Sequence, residues 1–292
     1  MIINQASLND LFVAYNAAFN TGFRDAVPLW QNVATRVPSG NRQNHYGWLG
    51  QFPQMREWIG DRHIKAMAAH DYTVVNKPFE STVEVDRDDL DDDQYGVYSP
   101  MMQEMGHAAA THPDELVFSL LKAGDSSLCY DGQYFFDVDH PVGGASVSNH
   151  GGGAGTPWYL LDGSRPLKPL IWQVRKEYTF TSMTTDTDEA VFMRKKFRFG
   201  VDARSNAGFG FWQQAYMSKQ TLDATNFMAA YTAMESFISD EGRPLPIKPT
   251  HLVVPSALRS AAEALIQART LASGADNVNY NRLALVVVNY LN

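Results

Sequence analysis

Between Phe79 and Gly124 the hydrophobic period of the chain switches from that of a strand to that of a helix, and this switch constrains the fold more than any other feature. Phe79, Ser81, Val83 and Val85 fall on one side and Glu80, Thr82, Glu84 and Asp86 on the other, the pattern of a strand with one apolar and one wet face. From Ser99 the chain reads as helix: Ser99 is placed as N-cap, Pro100 as the first helical residue, and Met101, Met102, Met105, Ala108 and Ala109 recur at helical spacing. Pro113, lacking an amide proton, must kink that run or start a second helix. Leu116, Val117, Leu120 and Leu121 resume the stripe, and Gly124 stops it. Asp86, Asp88, Asp89, Asp91, Asp92 and Asp93 lie before the helix; they lack the glycine turn and distant Glu of a calcium loop, so a solvated, dipole-favoured helix entrance is the better reading.

The chain has 292 residues, 45% of them apolar, enough for a substantial core in one or two domains. Its one cysteine, Cys129, excludes an internal disulfide, and the opening MIINQASLNDLF lacks the basic and apolar regions of a signal peptide. No stretch approaches the roughly 18 consecutive apolar residues of a membrane span. The expectation is a soluble chain folding in a reducing cytoplasm. Net charge is −8 and uneven: residues 1–150 carry 9 Lys or Arg against 20 Asp or Glu, and the remainder 15 against 12. This balance argues against a dedicated nucleic-acid binder, whose affinity rests on phosphate neutralisation, and it lets the acidic half of one copy face the basic half of another.

In the first third, Leu11, Phe12, Tyr15, Ala18 and Phe19 mark an amphipathic helix over Ser7–Asn20, which either its own core or a neighbour must cover. Thr21–Gly40 reads as irregular. His45–Gly60 holds Tyr46, Trp48, Phe52 and Trp58 among arginines, a composition closer to the centre of a protein interface than to a stacking platform for single-stranded nucleic acid. His63–Asp86 reads as a long hairpin bent at Asn76–Pro78.

The segment Tyr134–Pro141 carries the tempting chemistry. Asp137, Asp139 and His140, with His150 beyond, offer ligands for a divalent ion or an acid–base pair, but no complete signature surrounds them, and Asp beside Pro suits a turn in which the carboxylate bonds backbone amides. The turn is the preferred reading. Val142–Pro157 is glycine-rich without the Lys-Ser/Thr of a phosphate loop or a dinucleotide pattern, and reads as a surface insertion. Trp158–Phe180 holds short strands, Glu189–Gly200 a strand with Arg194, Lys196 and Arg198 on its wet face, and Gly208–Trp212 a further strand. Thr221–Ile238 is a second long helix, and Thr250–Pro255, a Ser256-capped helix to Ala272 and Leu283–Val288 form a strand–helix–strand ending. Ser256 lacks a nucleophile elbow, and no fixed-period repeat is visible.

Three segments, FESTVEVDRDDLDDDQYG, LCYDGQYFFDVDHP (Leu128–Pro141) and PTHLVVPSALRSAAEALI (Pro249–Ile266), in this order, resemble the major head subunits of Mu-like phages and prophages, proteins of the Hong Kong 97-type capsid fold. The resemblance implies an α+β subunit with an N-terminal arm over 1–44, an E-loop region over 45–86, a P-domain with its spine helix over 87–220 and an A-domain over 221–292. It implies self-assembly through hexamers and pentamers into an icosahedral head that encloses DNA without sequence-specific binding, with scaffold, portal and maturation protease as further partners. The expected contacts between copies are Trp48, Phe52, Trp58, Lys65, Tyr72 and Lys77. Lys65, Lys77 and Asn76 are residue types that some such shells crosslink, but no motif assigns a bond here. No catalytic residue, metal or cofactor is expected. The alternatives are a cargo-enclosing shell of the same fold, or a metal-binding hydrolase using Asp137, Asp139 and His140.

Overall fold

The structure is a computed structural model describing residues 5–47, 49, 72–91, 95–185, 187–239, 242–271 and 273–292. In chain order it runs through helix α1 (Gln5–Asp25) and strands β1 (Ala34–Pro38), β2 (Gln43–His45), β3 (Thr73–Val75) and β4 (Lys77–Asp86). Helices α2 (Arg87–Asp91) and α3 (Tyr95–Lys122) follow, then strands β5 (His140–Val142), β6 (Ala145–Val147), β7 (His150–Gly153), β8 (Trp158–Leu161) and β9 (Leu170–Met183). Helix α4 (Glu189–Arg194), strands β10 (Lys196–Phe209) and β11 (Ala215–Lys219), helix α5 (Ala224–Glu235), strand β12 (His251–Pro255), helix α6 (Arg259–Ile266) and strand β13 (Ala284–Val288) complete it.

α3 is one helix through both prolines. It begins at Tyr95, so Ser99 is not its cap and Pro100 lies inside it, against the sequence expectation; the short helix α2 already occupies the acidic run. Pro113 neither stops nor divides α3. It denies the Ala109 carbonyl an amide partner, while the nearby Thr111 hydroxyl donates to the carbonyls of His107 (3.0 Å) and Ala108 (3.4 Å). The apolar stripe changes partners around this proline. Met102, Met105 and Ala109 lie in a smaller core with Leu8, Leu11, Tyr15 and Phe19 of α1, Val85 of β4 and Phe197, Phe199 and Val201 of β10. Val117, Phe118 and Leu121 lie in a larger core that takes in β8, β11, β12 and the first half of β9. Each large side chain so buried contributes about 1.5–3 kcal/mol, which outweighs the propensity cost of a proline turn.

The helix α1 that a neighbour or its own body had to cover is covered by its own body. Its backbone touches that of α3: a Cβ on Gly22 would stand 1.8 Å from the Gln103 carbonyl oxygen, and one on Gly106 2.0 Å from that of Phe19. Only glycine permits such an approach from both sides.

Two sheets carry the rest. The first has the order β1-β9-β10-β4, with β1 parallel to β9 and the other pairs antiparallel. β10 buries every second residue from Phe197 to Ser205, the period of a half-covered strand. The strand expected over Glu189–Gly200 is therefore split: Glu189–Arg194 coils into α4, and Lys195 in the left-handed region (φ 55°) turns the chain into β10. Lys196 and Arg198 do form a wet face, but they meet Asp86 (2.8 Å) and Glu84 (2.7 Å) directly opposite on β4.

The second sheet has the order β13-β12-β8-β11-β7, and its central strand Trp158–Leu161 is buried at every residue. β12, α6 and β13 realise the strand–helix–strand ending, with β12 and β13 parallel, but the helix ends at Ile266 and Ser256 does not cap it: it lies in a 3-10 turn before α6 and its hydroxyl donates to Asn292 Oδ1 (2.7 Å). The α5 helix is capped by Asp223, whose carboxylate accepts from the Asn226 amide (2.8 Å), and it buries Phe227, Ala230, Tyr231 and Met234. The glycine-rich stretch is ordered into sheet rather than standing off as an insertion. Gly143 and Gly144, both at positive φ, close the β5–β6 hairpin, and β7 pairs with β11, where Gly153 (φ 93°) leaves no room for a Cβ against the Lys219 backbone.

The long hairpin expected over His63–Asp86 is also divided. β4 pairs with β10, and β3 pairs with β2, matching Gln43 to Val75 and His45 to Thr73; residues 63–71 lie outside the described residues. Alternation defines a strand but not its partner, which is why the two strands read as one arm.

Candidate assembly surface and buried polar cluster

The root of the 46–72 segment is built with care. The Tyr46 amide donates to the Tyr72 carbonyl (2.8 Å), so the two ends of the segment lie side by side. Beneath it, buried Gln173 donates to the Val74 carbonyl (3.0 Å) and Asn76 Oδ1 (2.8 Å), and accepts from the Tyr46 hydroxyl (2.8 Å). Asn76 in turn donates to Ser39 Oγ and the Asn41 carbonyl, both at 2.9 Å. Such a fully bonded amide pair is expensive to open and fixes the two ends of the segment.

Of the expected contact residues, Trp48, Phe52, Trp58 and Lys65 lie outside the described residues. Lys77 is exposed at the start of β4. Tyr72 is half-buried in its own chain, and its hydroxyl accepts from the Phe209 amide (2.7 Å); burial raises this phenol well above its ordinary range. That hydroxyl serves the fold.

The constellation of Asp137, Asp139 and His140 does not come together. The Asp137 carboxylate accepts from the Tyr134 (3.2 Å) and Val138 (2.7 Å) amides, which is the turn role read from the sequence. Asp139 is exposed. His140 is fully buried, stacked on Trp212 (centroids 3.9 Å apart, planes 8° apart), and its Nδ1 meets Asp131 Oδ2 at 2.7 Å. The same carboxylate accepts from the Cys129 thiol (3.0 Å). Burial alone would raise the Asp131 carboxyl, but the bonds from His140 and Cys129 together hold it below the usual range, while burial and the Asp131 charge push the thiol up. Sequence reasoning missed Cys129 and Asp131 because neither spacing belongs to a known signature and Leu128–Tyr134 is closed by a β-bridge that only the fold reveals. His150 lies apart, its Nδ1 accepting from the Gly152 amide (2.9 Å).

A chain with two cores, a long hairpin sheet laid on a helix and a clasped segment at its edge has close counterparts among solved structures. The chain matches a structure described as the procapsid of bacteriophage JBD30 with a TM-score of 0.89 at 50% identity, over 99% of this chain and 100% of that one. It matches the bacteriophage JBD30 capsid with a TM-score of 0.79 at 39% identity, over 100% of both. The class defined by this fold is the major capsid subunit of Hong Kong 97 type, the fold class that the sequence resemblance implied.

Sequence comparison narrows the class. Residues 8–291 match the family described as Mu-like prophage major head subunit gpT. The chain is 44% identical over 305 aligned residues to the "Major capsid protein" of Escherichia phage Mu, covering 100% of each. It is also 44% identical over 297 residues to the "Mu-like prophage FluMu major head subunit" of Haemophilus influenzae, covering 96% of each. The chain belongs to the Mu-like prophage major head subunit family. It is a structural protein of the virion that self-associates into the icosahedral head shell, and among the described residues no helix is long and apolar enough to cross a membrane.

Proposed function

We propose that this chain builds its shell by mechanical means alone, copies burying surface against one another in hexamers and pentamers without a catalytic centre. The observation that carries this reading is the clasp between Tyr46 and Tyr72, which brings the two ends of the segment together, and the sequence between them, with Trp48, Phe52, Trp58 and Lys65, has the composition of an interface centre. We assign this segment, the E-loop by family, to the next copy, with Lys77 at its foot. The divisions at 1–44, 45–86, 87–220 and 221–292 are retained as the domain plan.

Scaffold, portal and maturation protease are the further partners, and DNA is enclosed rather than gripped. The net charge of −8, and the pairing of the β10 cations with β4, support that last point. The test replaces residues 51–70 by a short Gly-Ser linker, which the adjacent ends can accommodate. The expected product melts cooperatively but forms no shells, rings or tubes in negative stain; normal shells from it refute the assignment.

A further inference from the structure

Cys129, Asp131 and His140 each offer one ligand atom, and these atoms lie within 4.8 Å of one another. The cluster is closed from solvent: His140 is fully buried, Cys129 is buried and the Asp131 side chain is 7% exposed. Cys129 and Asp131 flank a tight turn held by the Cys129 amide on the Gln133 carbonyl (2.8 Å) and by Gly132 at φ 88°. The ring of His140 cannot swing away. Trp212 stacks on its face, and its far nitrogen, Nε2, sits 3.3 Å from Asn149 Oδ1. Asn149 is itself oriented, since its Oδ1 accepts from the Asp137 amide (2.9 Å) and its Nδ2 donates to the Phe135 carbonyl (2.8 Å). An oxygen acceptor behind the ring directs the other nitrogen forward, which is how metal-ligating histidines are held.

We infer that Cys129, Asp131 and His140 supply three donors of a binding site for a thiophilic divalent cation of the Zn2+ type. A thiolate in the donor set favours such an ion over Mg2+ or Ca2+. Metal entry breaks the Cys129 S–H bond, releases that proton to solvent and forms one bond each to sulfur, oxygen and nitrogen, the His140 ring keeping its single proton on Nε2, which faces Asn149 Oδ1. The geometric demand is small. Ligands about 2.0–2.3 Å from a tetrahedral ion stand roughly 3.3–3.6 Å apart, and the three ligand atoms here already lie within 4.8 Å of one another.

The experiment titrates CoCl2 into the full-length, chelator-treated chain at about pH 8, where ligand deprotonation does not limit binding. The expected result is a thiolate-to-cobalt charge-transfer band saturating at one ion per chain and bleached by ZnCl2. Cys129→Ser should abolish the band, His140→Gln should weaken binding by about tenfold or more, and His150→Gln should leave it unchanged. No band in the wild-type chain at millimolar CoCl2 overturns the inference, whatever the variants do, and so does a band that survives Cys129→Ser.

Discussion

Gly106→Ala tests the α1–α3 crossing directly. The added Cβ would lie 2.0 Å from the Phe19 carbonyl oxygen and 2.9 Å from the Phe23 amide nitrogen, both backbone atoms that no rotamer change can move. Restoring ordinary contact requires α1 to retreat by more than about 1 Å, enough to forfeit a quarter to a half of the dispersion well at each contact it makes. Those contacts include Leu8, Leu11, Tyr15 and Phe19, the α1 side of the smaller core. Overpacking of this kind costs about 1–3 kcal/mol and more where backbone is the obstacle, while alanine returns up to about 1 kcal/mol of helix propensity. The net expectation is a loss of roughly 2 kcal/mol, the overpacking range less the propensity gain. Urea denaturation of the full-length chain, followed by far-ultraviolet circular dichroism, reads it as a lower midpoint at unchanged slope. Gly40→Ala, where nothing stands within 4 Å, is the neutral control. If Gly106→Ala proves as stable as wild type or more so, the helices do not cross at that residue and the account of the smaller core is wrong.

Other changes have distinct signatures. Asp114 accepts from the Leu29 (3.0 Å) and Trp30 (2.6 Å) amides, so Asp114→Ala should cost about 1–3 kcal/mol in the same denaturation experiment, with Asp114→Asn recovering part of the loss. Asp131 is held below the ordinary carboxyl value of 3.8, so its contribution is complete above that pH and disappears as pH falls through the lowered value. Asp131→Asn should therefore flatten the acid limb of a stability–pH curve, and an unaltered limb would show that the pairing with His140 and Cys129 contributes nothing. Asp114, raised by burial, acts in the opposite sense: its share is greatest below 3.8 and declines as pH climbs through its raised value. Arg198→Ala should cost under about 1 kcal/mol, since its partner Glu84 is well exposed to water; a larger loss by thermal denaturation would mean the strand face is less wet than its accessibility implies.

Periodicity made much of the architecture legible. The stripe of α3, the alternation of β4 and the buried run of β12 follow from residue spacing alone, and the three resembling segments carried the fold class. What escaped was what spacing does not encode. β4 alternates equally well whether it pairs with a sister strand or with β10, and α4 shares its composition with a strand until Lys195 turns the chain. The Gly143–Gly144 pair signals a turn, but only β11 shows that the glycines beyond it form a sheet edge. Asp137 was readable as a turn residue because its partners are sequence neighbours; the partners of His140 come from the preceding turn and from Trp212, and no local pattern reaches that far.

The smaller core imposes an order on synthesis. Its first helix leaves the ribosome with Leu11, Tyr15 and Phe19 already in place, but Phe197, Phe199 and Val201, against which they finally close, follow some 180 residues later. At about 5–20 residues per second, that delay is roughly 10–40 s. The α3 residues Met102, Met105 and Ala109 can shelter part of that greasy stripe about halfway through the interval, and the remainder waits in water until β10 has been made.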